Sequence, residues 1–539
     1  MIRSLLAALV VAVLPAADDY PKNRHIDIER YVFDLTLNDA NDSLAGSATI
    51  VARFLADGIT TVRLDLINAG YDSAGRGMVV SRVTSDDQVL DFTHIDDVLL
   101  ITIPSSQAGQ RRAISVVYGG VPATGLVIAP NKHGDRTFFS DNWPNRARHW
   151  LPTVDHPYDK ATSEMIVTAP SHYQVVSNGL LIETTDVGDG MRRTHWRQSV
   201  PIATWLYVLG VARFAVQHVD DYQGKAIQTW VYPQDRDAGF YDFAVPTKDV
   251  MEFYDNYVGP FAYEKLANIQ SNSVGGGMEA ASAIFYGDNS VTGTRDVRWR
   301  NVIIHEVAHQ WFGNAVTEYD WDDVWLSEGF ATYFTLLYIE HAYGRDEFVR
   351  GLERSRDRIF RFYAERPDYR IVHDNLTDMG QVTTGMTYQK GAWTLHMLRG
   401  VIGTEAFWAG IRTYYARHMN GNASTDDFRR AMEESSGTDL EWFFDQWLYQ
   451  GGVLAIKGGW LYDADLGVVR IDLSQIQSSY QFSMPMDIAI HSAEGDPRVE
   501  RIQIDDRHHT FEFAVDGEPA AVVLDPALRV LMEVSFVRR

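Results

Sequence analysis

Between about residues 30 and 214, apolar and polar positions alternate with a period of two. Segments 31–37, 48–54, 61–66, 99–103 and 165–168 are short and rich in Val, Ile, Thr and aromatic residues, with Gly, Asp, Asn and Pro between them. That pattern predicts the strands of a β-sandwich. Near residue 235 the period lengthens to that of a helix. Segments 247–257, 299–312, 324–341, 346–364, 385–398, 406–418 and 425–435 each predict a helix with one apolar face. Thr425-Asp426-Asp427 ahead of Phe428 reads as a cap followed by an acidic first turn. After Gly451-Gly452 the alternation returns in segments 469–473, 486–490, 501–504, 510–513 and 521–524. The expected fold is multidomain α+β. Residues 18–213 form an N-terminal β-sandwich, 214–450 a mostly helical domain and 451–539 a C-terminal β-sandwich.

Charge and composition narrow the partners. A formal charge of −24 repels phosphate backbones, which argues against nucleic acid. With no cysteine, the chain has no thiol nucleophile, disulfide or sulfur-bound zinc. Arg3, the apolar run 5–14 and Pro15-Ala16-Ala17 read as a signal peptide over residues 1–17. No later run reaches 18 apolar residues, so stable membrane insertion is not expected and the mature chain reads as exported, periplasmic or secreted. Oligomeric state is not legible.

The chemistry concentrates in His305-Glu306-Val307-Ala308-His309. Residues four apart share one face of a helix, so both imidazoles can reach one Zn²⁺ at about 2.0–2.1 Å. Glu306 lies between them, placed to take a proton from water at the metal. With 17 His and 22 Glu in 539 residues, chance supplies such a pentapeptide on the order of 0.02 times per chain. A catalytic zinc takes three protein ligands and keeps one position open. Glu328, with eighteen residues between it and His309, lies within Trp325-Leu326-Ser327-Glu328-Gly329-Phe330-Ala331 and can return a third ligand on an antiparallel helix.

H-E-x-x-H followed by Glu inside W-L-x-E-G-F-A resembles the aminopeptidase N family of gluzincin metallopeptidases, which includes leukotriene hydrolase. The resemblance implies a thermolysin-like catalytic domain with one Zn²⁺ per chain, in a short form without the family's frequent C-terminal helical domain. Gly276-Gly277-Met278-Glu279 is similar to the family's G-x-M-E-N motif, which implies that Glu279 binds the substrate's α-amino group. Tyr388, within Tyr388-Gln389-Lys390-Gly391, matches the family tyrosine that steadies an oxyanion. Ala147-Arg148…Pro152…Asp155-His156-Pro157 resembles a signature of the family's N-terminal sandwich.

Two positions depart from that pattern. Ala280 stands where the motif has Asn, and Trp143 stands five residues before Arg148, where the family often has Glu or Gln. Both departures imply altered recognition of the N-terminus, with Glu279 carrying more of it and Asp141 nearby. The resulting expectation is a zinc aminopeptidase acting on peptides with a free N-terminus. Endopeptidase or epoxide hydrolysis at the same site, or a non-catalytic peptide-binding module, are the alternatives.

Overall fold

Along the strand Ile26–Thr36 the buried positions are Ile26 and Ile28, then Tyr31, Phe33 and Leu35. The alternation slips by one residue where pairing with Leu44–Phe54 shifts register between Ile28 and Arg30. A bulge of this kind returns every later apolar side chain to the core face. The computed structural model describes residues 18–539 apart from 73, 373–375, 377 and 479, so the expected signal peptide lies outside the described residues.

Ile26–Thr36 sits inside an eight-stranded sheet, between Leu44–Phe54 and Ala161–Pro170. It pairs in parallel with Ala161–Pro170 and antiparallel with Leu44–Phe54. A four-stranded sheet contains Arg136–Ser140 and Leu209–Ala212, and a three-stranded sheet contains Thr61–Asp65. This β-rich part meets the middle of the chain through Phe139, whose ring stands edge-on to Phe285 at 5.3 Å.

The middle of the chain opens with five strands that helical periodicity does not show. They lie in the order Ala215–Tyr222, Lys225–Val231, Lys265–Ser271, Ala283–Gly287, Gly277–Met278. Lys265–Ser271 is buried at every position, so neither a period of two nor one of 3.6 is visible in it. Its polar side chains are paired instead. Lys265 Nζ donates to the Ser177 carbonyl at 2.9 Å, Asn268 Nδ2 to Thr247 Oγ1 at 2.9 Å and Gln270 Nε2 to Asp235 Oδ2 at 2.7 Å.

Every predicted helix is present, with ends within about a turn of those read from periodicity. One cap differs. Ser424, not Thr425, caps the helix Thr425–Ser436, in a reciprocal pair with Asp427. The Thr425 hydroxyl donates instead to Asp323 Oδ1 at 2.6 Å, tying that helix to the loop before Glu328. The C-terminal part is two sheets. The four-stranded sheet adds Leu454–Asp463 and Met532–Arg538 to the predicted strands, and the three-stranded sheet is Arg498–Ile504, Met484–His491, Ala521–Leu524.

Two helices cross at a pair of glycines, and that crossing places the chemistry. Trp325–Tyr343 carries Glu328 and Gly385–Ile402 carries Tyr388. A Cβ on Gly329 would stand 2.9 Å from Gly391 Cα and 3.2 Å from the Thr387 carbonyl oxygen, so the backbones touch. Gly→Ala inside a helix ordinarily gains about 1 kcal/mol of propensity. Here the expected sign reverses. Gly329→Ala should destabilise the fold by roughly 1–3 kcal/mol through overpacking, read from its denaturation midpoint. A midpoint above that of the unsubstituted protein would contradict the crossing.

Candidate metal centre

The helix Val297–His309 starts firmly, because Asp296 Oδ1 accepts from the amides of Arg298 at 2.9 Å and Trp299 at 3.3 Å. One turn apart at its far end, His305 Nε2 and His309 Nε2 lie 3.1 Å from each other. Glu328 Oε2 is 3.4 Å from the first and 3.2 Å from the second. Tetrahedral ligands at about 2.0–2.1 Å from a metal stand roughly 3.3 Å from one another, so this triangle has the edges of such a site.

Proton placement points the same way. His309 Nδ1 is 3.1 Å from the Phe312 carbonyl oxygen, which only accepts, so Nδ1 carries a proton and Nε2 is the nitrogen left to face a metal. Ser327 Oγ, also at 3.1 Å, braces the same nitrogen. Glu328 Oε1 accepts the Tyr388 hydroxyl at 2.6 Å, while Oε2 is buried without a hydrogen-bond partner. A carboxylate oxygen and imidazole nitrogens aimed at one point are held together by a cation there, either a proton on the imidazole or a metal ion. Two imidazoles and a carboxylate without sulfur suit a divalent transition metal, so the residues fit the group they imply.

The surroundings are acidic. Glu279, Glu306 and His309 form a second cluster of ligand atoms sharing His309 with the first. Burial, and then Glu279, push Glu306 well above the usual carboxylate range. Burial pushes Glu279 up to about 7. Burial alone would also raise Glu328, but His309 and His305 outweigh it and hold that carboxyl well below its ordinary value. The Tyr388 hydroxyl is raised well above 10 by burial and by Glu328, so it stays protonated as a donor, and its ring stacks on His305.

Glycine makes room for this cluster. A Cβ on Gly277 would fall 2.1 Å from Glu306 Oε1. Gly313, at φ +101°, turns the chain where a Cβ would strike Ser327 Oγ at 2.1 Å. Gly277–Met278 is the edge of its sheet, antiparallel to Ala283–Gly287, and a Cβ on Gly276 would meet nothing within 4 Å. The Gly276–Met278 backbone therefore borders open space beside Glu306.

All the predicted residues come together: His305, Glu306, His309, Glu328 and Tyr388 in direct or near contact, Glu279 beside Glu306, and Gly276–Met278 along the rim. Of the two departures, Trp143 is packed edge-on against Trp205 at 4.8 Å and Trp321 at 5.2 Å, and Ala280 is buried. Asp141 Oδ2 accepts from Arg146 at 2.6 Å, which leaves less of it for a substrate amine.

Four supporting residues escape a reading by motif. Gln310 Nε2 and Asn314 Nδ2 donate to the Glu279 carbonyl at 2.9 and 2.6 Å, coupling the histidine helix to the glycine strand. Ser327 braces His309. Glu318 is buried with neither carboxylate oxygen partnered, and burial raises it to about 8. Their only sequence signal is polar character inside apolar flanks.

A third candidate cluster, Asp18, His156 and Asp320, already holds a cation, since Lys22 Nζ lies 3.0 Å from Asp18 Oδ1 and also contacts Asp320. No helix of the described residues is long and apolar enough to cross a membrane.

Comparison with known proteins agrees with this geometry. Residues 27–206 match the peptidase M1 N-terminal domain and residues 241–447 the peptidase family M1 domain, together most of the chain. The chain belongs to peptidase family M1. Every side chain of the centre lies within the second match. Among curated relatives, glutamyl aminopeptidase of Bitis rhinoceros is 31% identical over 333 residues, which is 59% of this M1 chain and 34% of that protein. The thyrotropin-releasing hormone-degrading ectoenzyme of Rattus norvegicus is 26% identical over 394 residues, 66% of this chain and 37% of that one. The alignments thus span about a third of the length of these relatives. An M1 zinc metallopeptidase from Deinococcus radiodurans shares the fold, with a TM-score of 0.66 at 24% identity over 79% of this chain and 93% of that one.

Proposed function

We propose that this M1 chain is a zinc-dependent aminopeptidase, with one Zn²⁺ held by His305, His309 and Glu328. The observation that carries the reading is the triangle of two imidazole nitrogens and a partnerless, buried carboxylate oxygen, with edges of 3.1–3.4 Å. The Deinococcus relative supports it, being a zinc metallopeptidase crystallised with a Tyr-Ser-Ala substrate.

Zn²⁺, when bound, supplies a Lewis acid that acidifies water and polarises a carbonyl. The protein does the rest. The Glu279 carboxylate holds the substrate's α-ammonium, and its fixed place beside Glu306 measures one residue from the N-terminus to the bond that is cut. Glu306 takes the proton of the attacking water and returns it to the departing amine. Tyr388 turns its hydroxyl from Glu328 Oε1 to the oxyanion of the tetrahedral intermediate. The Gly276–Met278 edge lies along the peptide backbone, as an added strand would.

Glu306→Gln should retain zinc and lose at least about 100-fold in turnover of aminoacyl chromogenic amides. The N-acetylated twins of those amides should resist the unsubstituted enzyme. Near-normal turnover in the variant sinks the acid–base role, and equal cleavage of the acetylated set sinks the exopeptidase reading.

We also propose that the chain is exported and that its mature form starts at Asp18. The support is the charge and apolar pattern of residues 1–17. N-terminal sequencing of the exported protein should begin Asp-Asp-Tyr, and retention of Met1 in that fraction would refute the cleavage.

A further inference from the structure

A cavity of about 540 Å³ opens directly onto the metal centre, with His305 and Tyr388 in its wall. It runs along the histidine helix past Asn301 to Arg298, and the helix Arg345–Glu365 closes its other side with Arg354 and Arg358. Among the described residues, no carboxylate lines it. On a chain of net charge −24, three guanidinium groups around one concavity are a local reversal of sign.

None of the three arginines has an ion-pair partner among the described residues, whereas Arg350 on the same helix is paired with Glu347 at 2.7 Å. Their positions are also unfavourable for the fold. Arg354 and Arg358 are four residues apart on one helix face, where like charges repel. Arg298 sits in the first turn of its helix, where the helix dipole disfavours a cation. Arg298 stacks over the Trp299 ring at 4.8 Å, but none of the three exposed cations lining this one cavity has a carboxylate partner among the described residues, and together they point to an anionic ligand.

The cavity and Glu279 meet the His305–His309–Glu328 triangle at different corners. Glu279 clusters with Glu306 and His309, while His305 and Tyr388 line the cavity. A peptide anchored by its amine at Glu279 therefore sends its remainder toward the arginines. Seven residues of helix separate His305 from Arg298, roughly 10 Å at 1.5 Å per residue. An extended peptide covers that distance with about three residues.

We propose that Arg298, Arg354 and Arg358 form a subsite for a peptide carboxylate beyond the scissile bond, so that the enzyme favours short peptides with a free C-terminus. Guanidinium groups pair with a carboxylate through two parallel hydrogen bonds, which gives direction as well as charge. This rests on the aminopeptidase reading above and adds the other end of the substrate to it.

The test compares a tripeptide acid with its C-terminal amide, and with an amide carrying Asp as its third residue. Both kcat/KM for the zinc-loaded full chain and calorimetric affinity for the Glu306→Gln variant are measured. The acid should be favoured over the plain amide by at least about 10-fold at low salt, and by less as salt rises. In Arg354→Gln/Arg358→Gln, at two exposed positions, that ratio should fall below about 3. A ratio near one in the unsubstituted protein overturns the proposal, and so does a ratio that survives in the double variant. The Asp amide separates the sources. If it matches the acid, the subsite takes any carboxylate at that reach; if it behaves as the plain amide, the subsite takes the chain terminus. Either result supports the subsite. Should no peptide be cleaved at all, the aminopeptidase reading fails, yet the affinities of acid and amide still decide the subsite.

Discussion

Three buried carboxylates, those of Glu279, Glu306 and Glu328, gather around two imidazoles with no lysine or arginine among them. Ionised carboxylates are very costly to bury unpaired. The cluster persists because burial holds protons on some of its members and because its geometry anticipates cations. On the proposed reading, one is a metal at the His305–His309–Glu328 triangle, and the other is an ammonium at Glu279. On that reading both cations arrive from outside the fold and the acidity of the cleft is what draws them in.

The scaffold looks built around holding that repulsion still. Contact between Gly329 and Gly391 sets the distance from Glu328 to Tyr388, and the missing Cβ of Gly277 leaves room for Glu306. Gln310 and Asn314 bind the Glu279 backbone to the end of the histidine helix and the loop that follows it, so Glu279 and His309 are held as one body. Across the His305–His309–Glu328 triangle the charge changes sign, from carboxylates around Glu279 to arginines in the adjoining cavity. A peptide is itself such a dipole, positive at its N-terminus and negative at its C-terminus, and on the proposed reading the cleft matches it.

How much of this was legible in the sequence depends on the range of each interaction. His305 and His309 were legible because one helical turn converts their spacing into proximity. Glu328 needed only one further helix. Glu279 and Tyr388 were marked by a family resemblance and by nothing in their own periodicity. Ser327, Gln310 and Asn314 stayed hidden, since they act through backbone carbonyls and a ring nitrogen that only the folded chain brings to them. The strand Lys265–Ser271 was hidden for a related reason, its polar residues being buried and paired rather than alternating. At the helix beginning with Thr425, two adjacent hydroxyl residues could each cap, and the choice of Ser424 follows from Asp323 claiming Thr425.

The central claim is that the His305–His309–Glu328 triangle is completed by one zinc ion. Its most direct test is titration of chelator-treated protein with Zn²⁺, followed by thermal unfolding. A site that binds metal only when folded raises the unfolding temperature as the metal is added. The account predicts saturation at one equivalent, a rise of several degrees, and loss of both in Glu328→Ala. An unfolding temperature that does not respond to zinc, or a response that is unchanged in that variant, would contradict it.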